Sequence, residues 1–197
     1  MTMTIEFDQH RADRPWTREE TRDLPEGFRY EIEDGNLIVM NSPSPGHQLV
    51  AYRLMNLLND AAEAAGVDAV AIGPVDVAVP SARGGYLSPD VAVIPGAATE
   101  GGYELLVGGD VLLAVEITGK DAITRDMVTK CGVYAGLGIP SYWVVRMDEP
   151  AIRVIVFELA NGGYRRVTEI VAGGSAVLDR PFPVTVEPGG LARRPGR

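Results

Sequence analysis

Apolar and polar positions along the chain predict a mixture of short strands and two long helices. Over residues 47–65 the apolar positions recur at helical spacing, and the pattern stops at Gly66, which predicts the longest helix. A second helix is predicted over residues 122–137, and a short one follows the capping-box pair Thr17 and Glu20. The predicted strands are, from the N-terminus, 28–33, 36–40, 68–72, 75–79, 89–94, 110–118, 140–146, 151–159 and 164–171.

The strand predicted over residues 110–118 is the one around which the candidate site is built. Its run from Val111 to Val115 has no polar interruption, which is typical of a strand buried on both faces in a central position that also suits a parallel neighbour. The run ends in Glu116. A carboxylate at the end of a buried strand loses hydration and needs a cation or several hydrogen-bond donors nearby. Because α/β proteins place their sites at the ends of central strands, the partners of Glu116 bear directly on function.

The order of elements suits one α/β domain. The 197 residues are enough for a substantial core, and no repeat or linker divides them. We predict a single domain over residues 17–186, between flexible tails at 1–16 and 187–197. The single cysteine, Cys131, excludes an internal disulfide framework and a cysteine-based zinc site.

Targeting and cofactor signals are missing from the sequence. No apolar run approaches the roughly 20 residues of a membrane span. The N-terminal residues lack the basic start and apolar centre of a signal peptide. We therefore expect a cytoplasmic protein with no membrane partner, and the lack of disulfides fits a reducing compartment. No GxGxxG or Walker-type loop is present, so we expect no nucleotide cofactor.

The charge of the chain limits its partners. A net charge of −9 argues against broad, non-specific binding to nucleic acid, which needs a basic surface. It does not exclude an enzyme that meets a phosphate backbone only in a cleft, and carboxylates around a metal ion would add to the negative sum. The chain has sixteen arginines but only two lysines, Lys120 and Lys130. An ammonium is a compact donor that can lose its proton when buried, whereas a guanidinium stays charged and planar.

Three residues from separate elements form a candidate site. Asp90 opens the strand before the central one, Glu116 closes the central strand, and Lys130 lies on the following helix. At about 100° per residue, Lys130 falls only about 20° outside the apolar arc of that helix, so it points toward the sheet. A lysine there needs an anionic partner or a lowered pKa. Asp126, one turn earlier, is a candidate partner.

This set of side chains suits a Mg²⁺-dependent phosphodiester hydrolase. Two carboxylates at neighbouring strand ends offer the hard oxygen ligands that Mg²⁺ prefers, with Mn²⁺ as a substitute. The ion polarises the phosphate and lowers the pKa of attacking water. The lysine can orient that water or stabilise the negative charge of the transition state.

The motifs also resemble a known family. A Pro-Asp dipeptide followed by an acidic residue on the next strand is similar to the PD-(D/E)xK nuclease superfamily, which has the restriction-endonuclease-like fold. More narrowly, residues 17–170 resemble the bacterial Uma-two family of endonucleases. The matching stretches are Tyr30-Glu31 through Asp34-Gly35, Ser42-Pro43 to His47, Pro89-Asp90-Val91-Ala92-Val93, Val115-Glu116-Ile117, Asp126 to Lys130, and Tyr134 through Val145.

The resemblance implies a restriction-endonuclease-like α/β core, a mixed curved sheet flanked by helices, that cuts DNA and leaves 3′-hydroxyl and 5′-phosphate ends. It also implies that Asp90, Glu116 and the backbone carbonyl of Ile117 bind the metal, and that Lys130 fills the catalytic-lysine role. Two departures stand out. The superfamily's usual lysine position, two residues after the glutamate, holds Thr118, and the family's Ser-Pro after this strand is replaced by Gly119-Lys120. Lys120 is therefore an alternative source of the amine.

Other residues and functions remain open at the sequence level. Glu31 occupies a family position on the first hairpin and is either a further metal ligand or a solvated strand residue. His47 is either a helix cap or a proton donor. Cutting both strands needs two sites, which a homodimer would supply, although no sequence feature demonstrates one. The competing functions are a catalytically inactive DNA- or protein-interaction protein on the same fold, and a metal hydrolase of another substrate.

Overall fold

A computed structural model of the chain describes residues 14–100, 105–119, 125–147 and 151–192. Its helices are α1 (Arg18–Thr21), α2 (Pro45–Ala65), α3 (Cys131–Gly136) and α4 (Pro188–Leu191), with a π-helical segment at Arg125–Lys130 directly before α3 and 3₁₀ turns at Gly96–Thr99 and Gly108–Asp110. Its strands are β1 (Phe28–Glu33), β2 (Asn36–Asn41), β3 (Ala69–Ile72), β4 (Val77–Ala78), β5 (Tyr86–Leu87), β6 (Val91–Pro95), β7 (Leu113–Thr118), β8 (Ser141–Arg146), β9 (Arg153–Ala160), β10 (Gly163–Val171), β11 (Ala176–Leu178) and β12 (Val184–Val186).

The main sheet is mixed and has six strands in the order β10-β9-β8-β7-β6-β3. β7 lies inside this sheet, parallel to β8 and antiparallel to β6, which confirms the predicted central position. A second sheet has the order β2-β1-β5-β4, and β11 pairs with β12 alone. The predicted α/β class with a mixed sheet and flanking helices is confirmed.

The period-two alternation of β7 assigns its side chains to two faces of the main sheet. Leu113, Val115 and Ile117 lie in the core that contains the buried face of α2. Ala114 lies in the opposite core, together with Tyr134 of α3. Because alternate strand residues share a face, Glu116 is directed to the α3 side.

The two faces of β1, the first strand of the hairpin, also differ. Asp34 and Gly35 both have positive φ, of 45° and 75°, which confirms the predicted turn between β1 and β2. On one face of β1, Ile32 packs into a small core with Trp16. On the other face, residues 29, 31 and 33 are all charged, and the middle one is completely buried. The strand therefore delivers a charged stripe to the interior.

Several expectations differ from the structure. Arg125–Lys130 is π-helical instead of α-helical, and residues 122–124, the predicted start of that helix, lie outside the described residues. β5 occupies a predicted loop, where Tyr86 finds a strand partner in Ile32. The expectation of a flexible tail from residue 187 does not hold for α4, because Leu191 is buried in the core beside α2. The division into domain and tails stays a prediction.

Within the described ranges, no helix is both long enough and apolar enough to cross a membrane.

Candidate active site

Asp90 lies at the start of β6 and contacts three hydrogen-bond donors. Its Oδ2 accepts a hydrogen bond from the backbone N–H of Ile117 at 2.7 Å. Its Oδ1 accepts from Nη1 of Arg29 at 2.5 Å and lies 3.0 Å from Nε2 of His47. Burial would raise the pKa of the Asp90 carboxyl, but His47, Arg29 and the Ile117 N–H lower it below its usual value. Asp90 is therefore a buried carboxylate that stays charged at neutral pH.

The end of the β6–β7 ladder explains why Ile117 meets Asp90. The two strands pair as far as Val91 opposite Val115, so Asp90 and Glu116 are the next two residues along this register. Beyond that point the backbone of β6 no longer pairs with β7, and the Asp90 side chain accepts the hydrogen bond from the N–H of Ile117 instead. Because a strand residue directs its N–H and C=O to the same edge, the Ile117 carbonyl also faces the Asp90 side.

Glu116 is buried on the α3 face of β7, with 4% of its surface exposed. Its Oε1 accepts hydrogen bonds from Nζ of Lys130 at 2.8 Å and from the hydroxyl of Tyr134 at 2.7 Å. Burial raises the pKa of Glu116 to about 8, an effect that Lys130 opposes and the carboxylates of Asp90 and Glu31 reinforce. The two candidate carboxylates therefore differ, since Asp90 is ionised at neutral pH and Glu116 favours its protonated form.

Lys130 enters the site from the π-helical segment and is 2% exposed. The prediction that it points toward the sheet is confirmed. Its Nζ lies 2.8 Å from Oε1 of Glu116 and 2.9 Å from Oε1 of Glu31, but 3.9 Å from Oδ1 of Asp126. The partner expected from helical spacing is thus the most distant of the three carboxylates. Burial alone would lower the pKa of Lys130, but these carboxylates raise it above its usual value. The amine therefore stays charged.

The charged stripe of β1 lies against these residues. Oε1 of Glu31 accepts from Lys130 and also from the backbone N–H of Ser88 at 3.0 Å. Oε2 of Glu31 accepts from Nη2 of Arg125 at 2.5 Å, and the same guanidinium contacts Glu33. Burial would raise the pKa of Glu31, but Lys130 and Arg125 lower it. Glu31 is therefore an anion that joins β1 to the π-helical segment.

Ser88 connects this stripe to a second, partly exposed cluster. Its carbonyl accepts from Nη2 of Arg29 at 2.7 Å, and its hydroxyl donates to Oδ1 of Asp76 at 2.5 Å. Oδ2 of Asp76 in turn accepts from Nε of Arg18 at 2.8 Å. The loop before Asp90 is thus fixed by side-chain and backbone bonds on both sides.

The Ser88 hydroxyl is expected to matter for stability. Ser88→Ala leaves the Asp76 carboxylate, a quarter of whose side chain is exposed, short of one donor, so the free energy of unfolding should fall by about 1 kcal/mol. Urea denaturation followed by circular dichroism measures the change. Ser81→Ala is the matched control, because its hydroxyl also contacts an aspartate, Asp34, but at an exposed position. Equal losses in the two variants would contradict the role given to Ser88.

Comparison with known proteins gives the family of this chain. The family model described as "Putative restriction endonuclease" (Uma2, the Uma-two family) matches residues 18–191. The chain belongs to the Uma-two family. Its structure is also similar to a solved crystal structure described as "a putative nuclease belonging to DUF820" from Anabaena variabilis ATCC 29413, with a TM-score of 0.61, 17% sequence identity, and coverage of 85% of this chain and 90% of that chain. That likeness supports the fold, and no curated protein matches the chain.

The sequence predicted most members of the cluster in this Uma-two protein. Glu31, Asp126 and Lys130 meet around Glu116, while His47 meets Asp90. Lys120 lies outside the described residues. The side chain of Thr118, in the usual lysine position, is buried, and it hydrogen-bonds to Asp126 and to the carbonyl of Gly119.

Sequence reasoning missed several contacting residues. These are Arg29, Asp76, Arg125 and Tyr134, and the hydrogen bonds of Ser88 were missed as well. One signal was available, since the alternation of charge at residues 29, 31 and 33 marks a single strand face. Such a stripe usually faces solvent, and only the contacts of Glu31 with Ser88, Arg125 and Lys130 show that its centre is buried.

The donor set of the Uma-two site fits a hard divalent cation. Among the described residues, no group of three or more His, Cys, Asp or Glu side chains has the arrangement of a protein-only metal site. Mg²⁺, however, usually takes one or two carboxylates and keeps water for its other positions. Asp90, Glu116 and the Ile117 carbonyl could supply oxygen ligands of that kind. The bonds from Lys130 and Tyr134 both end on Oε1 of Glu116, which leaves its Oε2 outside those two contacts.

The charge of the site favours a cation as well. Among the described residues of the site, the carboxyl groups outnumber the arginine and lysine side chains. The carboxylates are Glu31, Glu33, Asp90, Glu116 and Asp126, and the cations are Arg29, Arg125 and Lys130. This imbalance contributes to the raised pKa of Glu116, and a divalent ion would offset it.

A cleft of about 390 Å³ opens onto Asp90. Arg29 and His47 lie beside Asp90 in its lining, and both retain about one fifth of their side-chain exposure. The backbone of Gly73 closes one side, where an added Cβ would collide with the carbonyl of Asp90. The cleft therefore gives solvent, and a substrate, access to the Asp90 side of the cluster.

Proposed function

We propose that this Uma-two protein is a divalent-metal-dependent DNA endonuclease that uses Mg²⁺, with Mn²⁺ as a substitute. The observation that carries the proposal is the 2.8 Å contact between Nζ of Lys130 and Glu116. It supports the view that a lysine from the helix replaces the one missing at Thr118. A carboxylate on each of two adjacent strands and a charged amine beside one of them form the set that hydrolysis of a phosphodiester requires.

Asp90, Glu116 and the Ile117 carbonyl would hold the ion. When bound, a divalent ion supplies charge stabilisation at the phosphate and a lower pKa for attacking water. In-line attack by water would leave 3′-hydroxyl and 5′-phosphate ends. Asp90 is ready for this role because its pKa is already lowered, whereas Glu116 must give up its proton.

Lys130 and the residues that line the cleft have separate tasks in this proposal. The amine of Lys130 orients Glu116 and, through its charge, stabilises negative charge that develops on the phosphate. Arg29 and His47 line the cleft beside Asp90, where they can contact a phosphate oxygen. Glu31 holds Lys130 and Arg125 and acts as a positioning residue.

Two further parts of the proposal concern the assembly and its place in the cell. Two sites are needed to cut both strands, so we propose a homodimer, which sedimentation of the purified protein would detect. We also propose that the protein acts in the cytoplasm.

A second candidate function is a catalytically inactive DNA- or protein-interaction protein. The observation that favours it is that Asp90 and Glu116 each contact cationic or hydroxyl donors of the chain itself. Such contacts also stabilise a buried carboxylate in a purely structural role. Affinity for Mn²⁺, measured by calorimetry on wild type and Asp90→Asn, separates this candidate from a metal-dependent hydrolase.

The proposed activity predicts metal-dependent cleavage of DNA. Wild type should relax and linearise supercoiled plasmid with Mg²⁺ or Mn²⁺ and should be inactive with EDTA. Glu116→Gln should lower the rate by at least about 100-fold, because the amide has the size of the carboxyl group but cannot carry its charge to the metal. Gel electrophoresis of plasmid over a range of times measures the rate.

Glu158→Gln is the control for this experiment. Its carboxyl lies on β9 of the same sheet and belongs to no part of the proposed site, so its rate should equal that of wild type. No cleavage by folded wild type with either metal would contradict the proposal. Equal cleavage by wild type and Glu116→Gln would contradict the assignment of the site.

A further inference from the structure

The outer part of the cleft differs chemically from its floor. Arg29, His47 and Asp90 form a polar floor, while Ala51 and Met55 from α2 and Pro74 from the opposite side form apolar walls. Pockets that combine apolar walls with a few placed polar groups are typical ligand sites. The metal-dependent chemistry described above uses the floor and gives the walls no contact with substrate, although Ala51 and Met55 also pack against the core beneath α2.

The solvent side of α2 continues this surface. Gln48, Ala51 and Met55 lie on one helical face and line the cleft. Tyr52 follows Gln48 by one turn, so it lies next to this face, and 60% of its surface is exposed. An aromatic side chain this exposed at the margin of a cleft offers a flat surface for stacking. We call Gln48, Ala51, Tyr52 and Met55 the α2 face.

The floor suits a phosphate. Arg29 has five N–H donors, and its bonds to Asp90 and to the carbonyl of Ser88 use two of them. His47 lies beside it with its ring partly exposed. A phosphate on the floor would bring the adjoining sugar and base against the apolar walls and toward Tyr52.

The charge of the protein decides which form of DNA fits. Affinity for duplex DNA comes largely from Lys and Arg contacts to many phosphates, and this chain carries a net charge of −9. Its one described lysine, Lys130, is buried in the cluster and cannot contribute. Unpaired bases gain affinity from stacking on aromatic side chains, a contribution that does not need a basic surface. In a duplex, the bases are stacked on one another and are not available for such contacts.

We propose that the α2 face binds unpaired nucleotides, so that the preferred substrate is single-stranded DNA. One base stacks on Tyr52, and the neighbouring nucleotide enters the cleft between Met55 and Pro74 with its phosphate on the floor beside Arg29. That a bound strand is also cleaved rests on the proposed nuclease function, because the bound phosphate lies beside Asp90. The binding itself needs no metal and no cleavage.

The test measures binding without catalysis. A fluorescein-labelled single-stranded oligonucleotide of mixed sequence, and the duplex of the same sequence, are titrated with protein in EDTA and followed by fluorescence anisotropy. The single strand should bind at least about tenfold more tightly. Tyr52→Ser should weaken its binding by about 5- to 100-fold, the range for loss of one base–aromatic stack, whereas Tyr52→Phe keeps the ring and should bind like wild type.

Further variants separate the cleft from the rest of the surface. Ala51→Trp should fill the cleft and weaken binding, while Ala64→Trp makes the same exchange at an exposed position of the same helix, about three turns beyond Tyr52. Val177→Ser removes an exposed apolar side chain on β11 and should change nothing. Circular dichroism and the melting temperature of each variant confirm that it is folded.

The outcomes keep this inference distinct from the proposed function. Three results would overturn the inference, even if plasmid is cleaved. The first is duplex binding as tight as single-strand binding or tighter, and the second is no binding of either DNA. The third is that Tyr52→Ser and Ala51→Trp bind the single strand like wild type. Single-strand binding that depends on Tyr52 would support it. If that binding appears and no DNA is cleaved with any metal, the nuclease proposal fails and the binding surface stands.

Discussion

Lys130→Met is expected to lower the free energy of unfolding by about 3–5 kcal/mol, because it removes a cation from among buried carboxylates. Glu31 and Glu116 both accept from this amine, and neither is exposed enough for water to replace it. Methionine has a similar length and an apolar end, so the variant removes the charge while it keeps most of the side-chain volume. Urea denaturation in EDTA, followed by circular dichroism, measures the difference.

The control for this variant is an exposed ion pair. Arg166→Met removes a cation from Glu169 on β10, where half of the Arg166 side chain is exposed, and should cost no more than about 1 kcal/mol. Adding Glu31→Gln to Lys130→Met should restore part of the lost stability, since Glu31 is the carboxylate with a lowered pKa and Lys130→Met removes one of its two cations. A loss in Lys130→Met no larger than in Arg166→Met would contradict the charge balance proposed for the site.

Lys130→Arg separates stability from activity. A guanidinium keeps the positive charge, but it is planar and larger than the ammonium that Glu31 and Glu116 enclose. We expect this variant to be more stable than Lys130→Met and still to lose most plasmid cleavage. A Lys130→Arg protein that cleaves at the wild-type rate would show that only the charge is needed.

The second large effect is a dependence of stability on pH in the metal-free protein. The pKa of Glu116 is raised to about 8 in the folded state, whereas in the unfolded chain it has its ordinary value near 4.5. Below pH 4.5 the group is protonated in both states, and its contribution to stability is complete. Between pH 4.5 and 8 the unfolded chain releases the proton more readily, so stability falls with rising pH by a few kcal/mol.

Glu116→Gln should remove most of this dependence, because an amide does not titrate. Asp126 has a pKa raised by burial, so it acts in the same direction and remains in the variant. Glu31 and Asp90 have lowered pKa values and act oppositely, since their contributions are lost only as the pH falls below 4.5. Chemical denaturation of wild type and variant between pH 5 and 9 in EDTA measures the difference. Parallel curves for the two proteins would contradict the raised pKa of Glu116.

Local patterns in the sequence were enough for most of the fold. The capping box at Thr17 and Glu20, the Asp34-Gly35 turn and the periodicity that ends at Gly66 each depend on residues a few positions apart, and each is confirmed. The apolar run before Glu116 similarly predicted an internal strand, because a strand buried on both faces has no polar side. Short β5 and the packed α4 were missed, since each acquires its structure from a distant partner.

The candidate site shows the same division. The sequence by itself determined that Asp90 and Glu116 lie near the ends of adjacent strands, although β7 continues past Glu116 to Thr118. It also determined that Lys130 faces the sheet, because the helical period of about 3.6 residues assigns each side chain to a face. Only the tertiary structure decided that Lys130 pairs with Glu31, 99 residues away, and that Arg29 holds Asp90 across 61 residues. It also decided that Glu31, at the centre of the charged face of β1, is buried. No local period carries that information, because burial and ion pairing between distant elements depend on how the two sheets and the helices pack together.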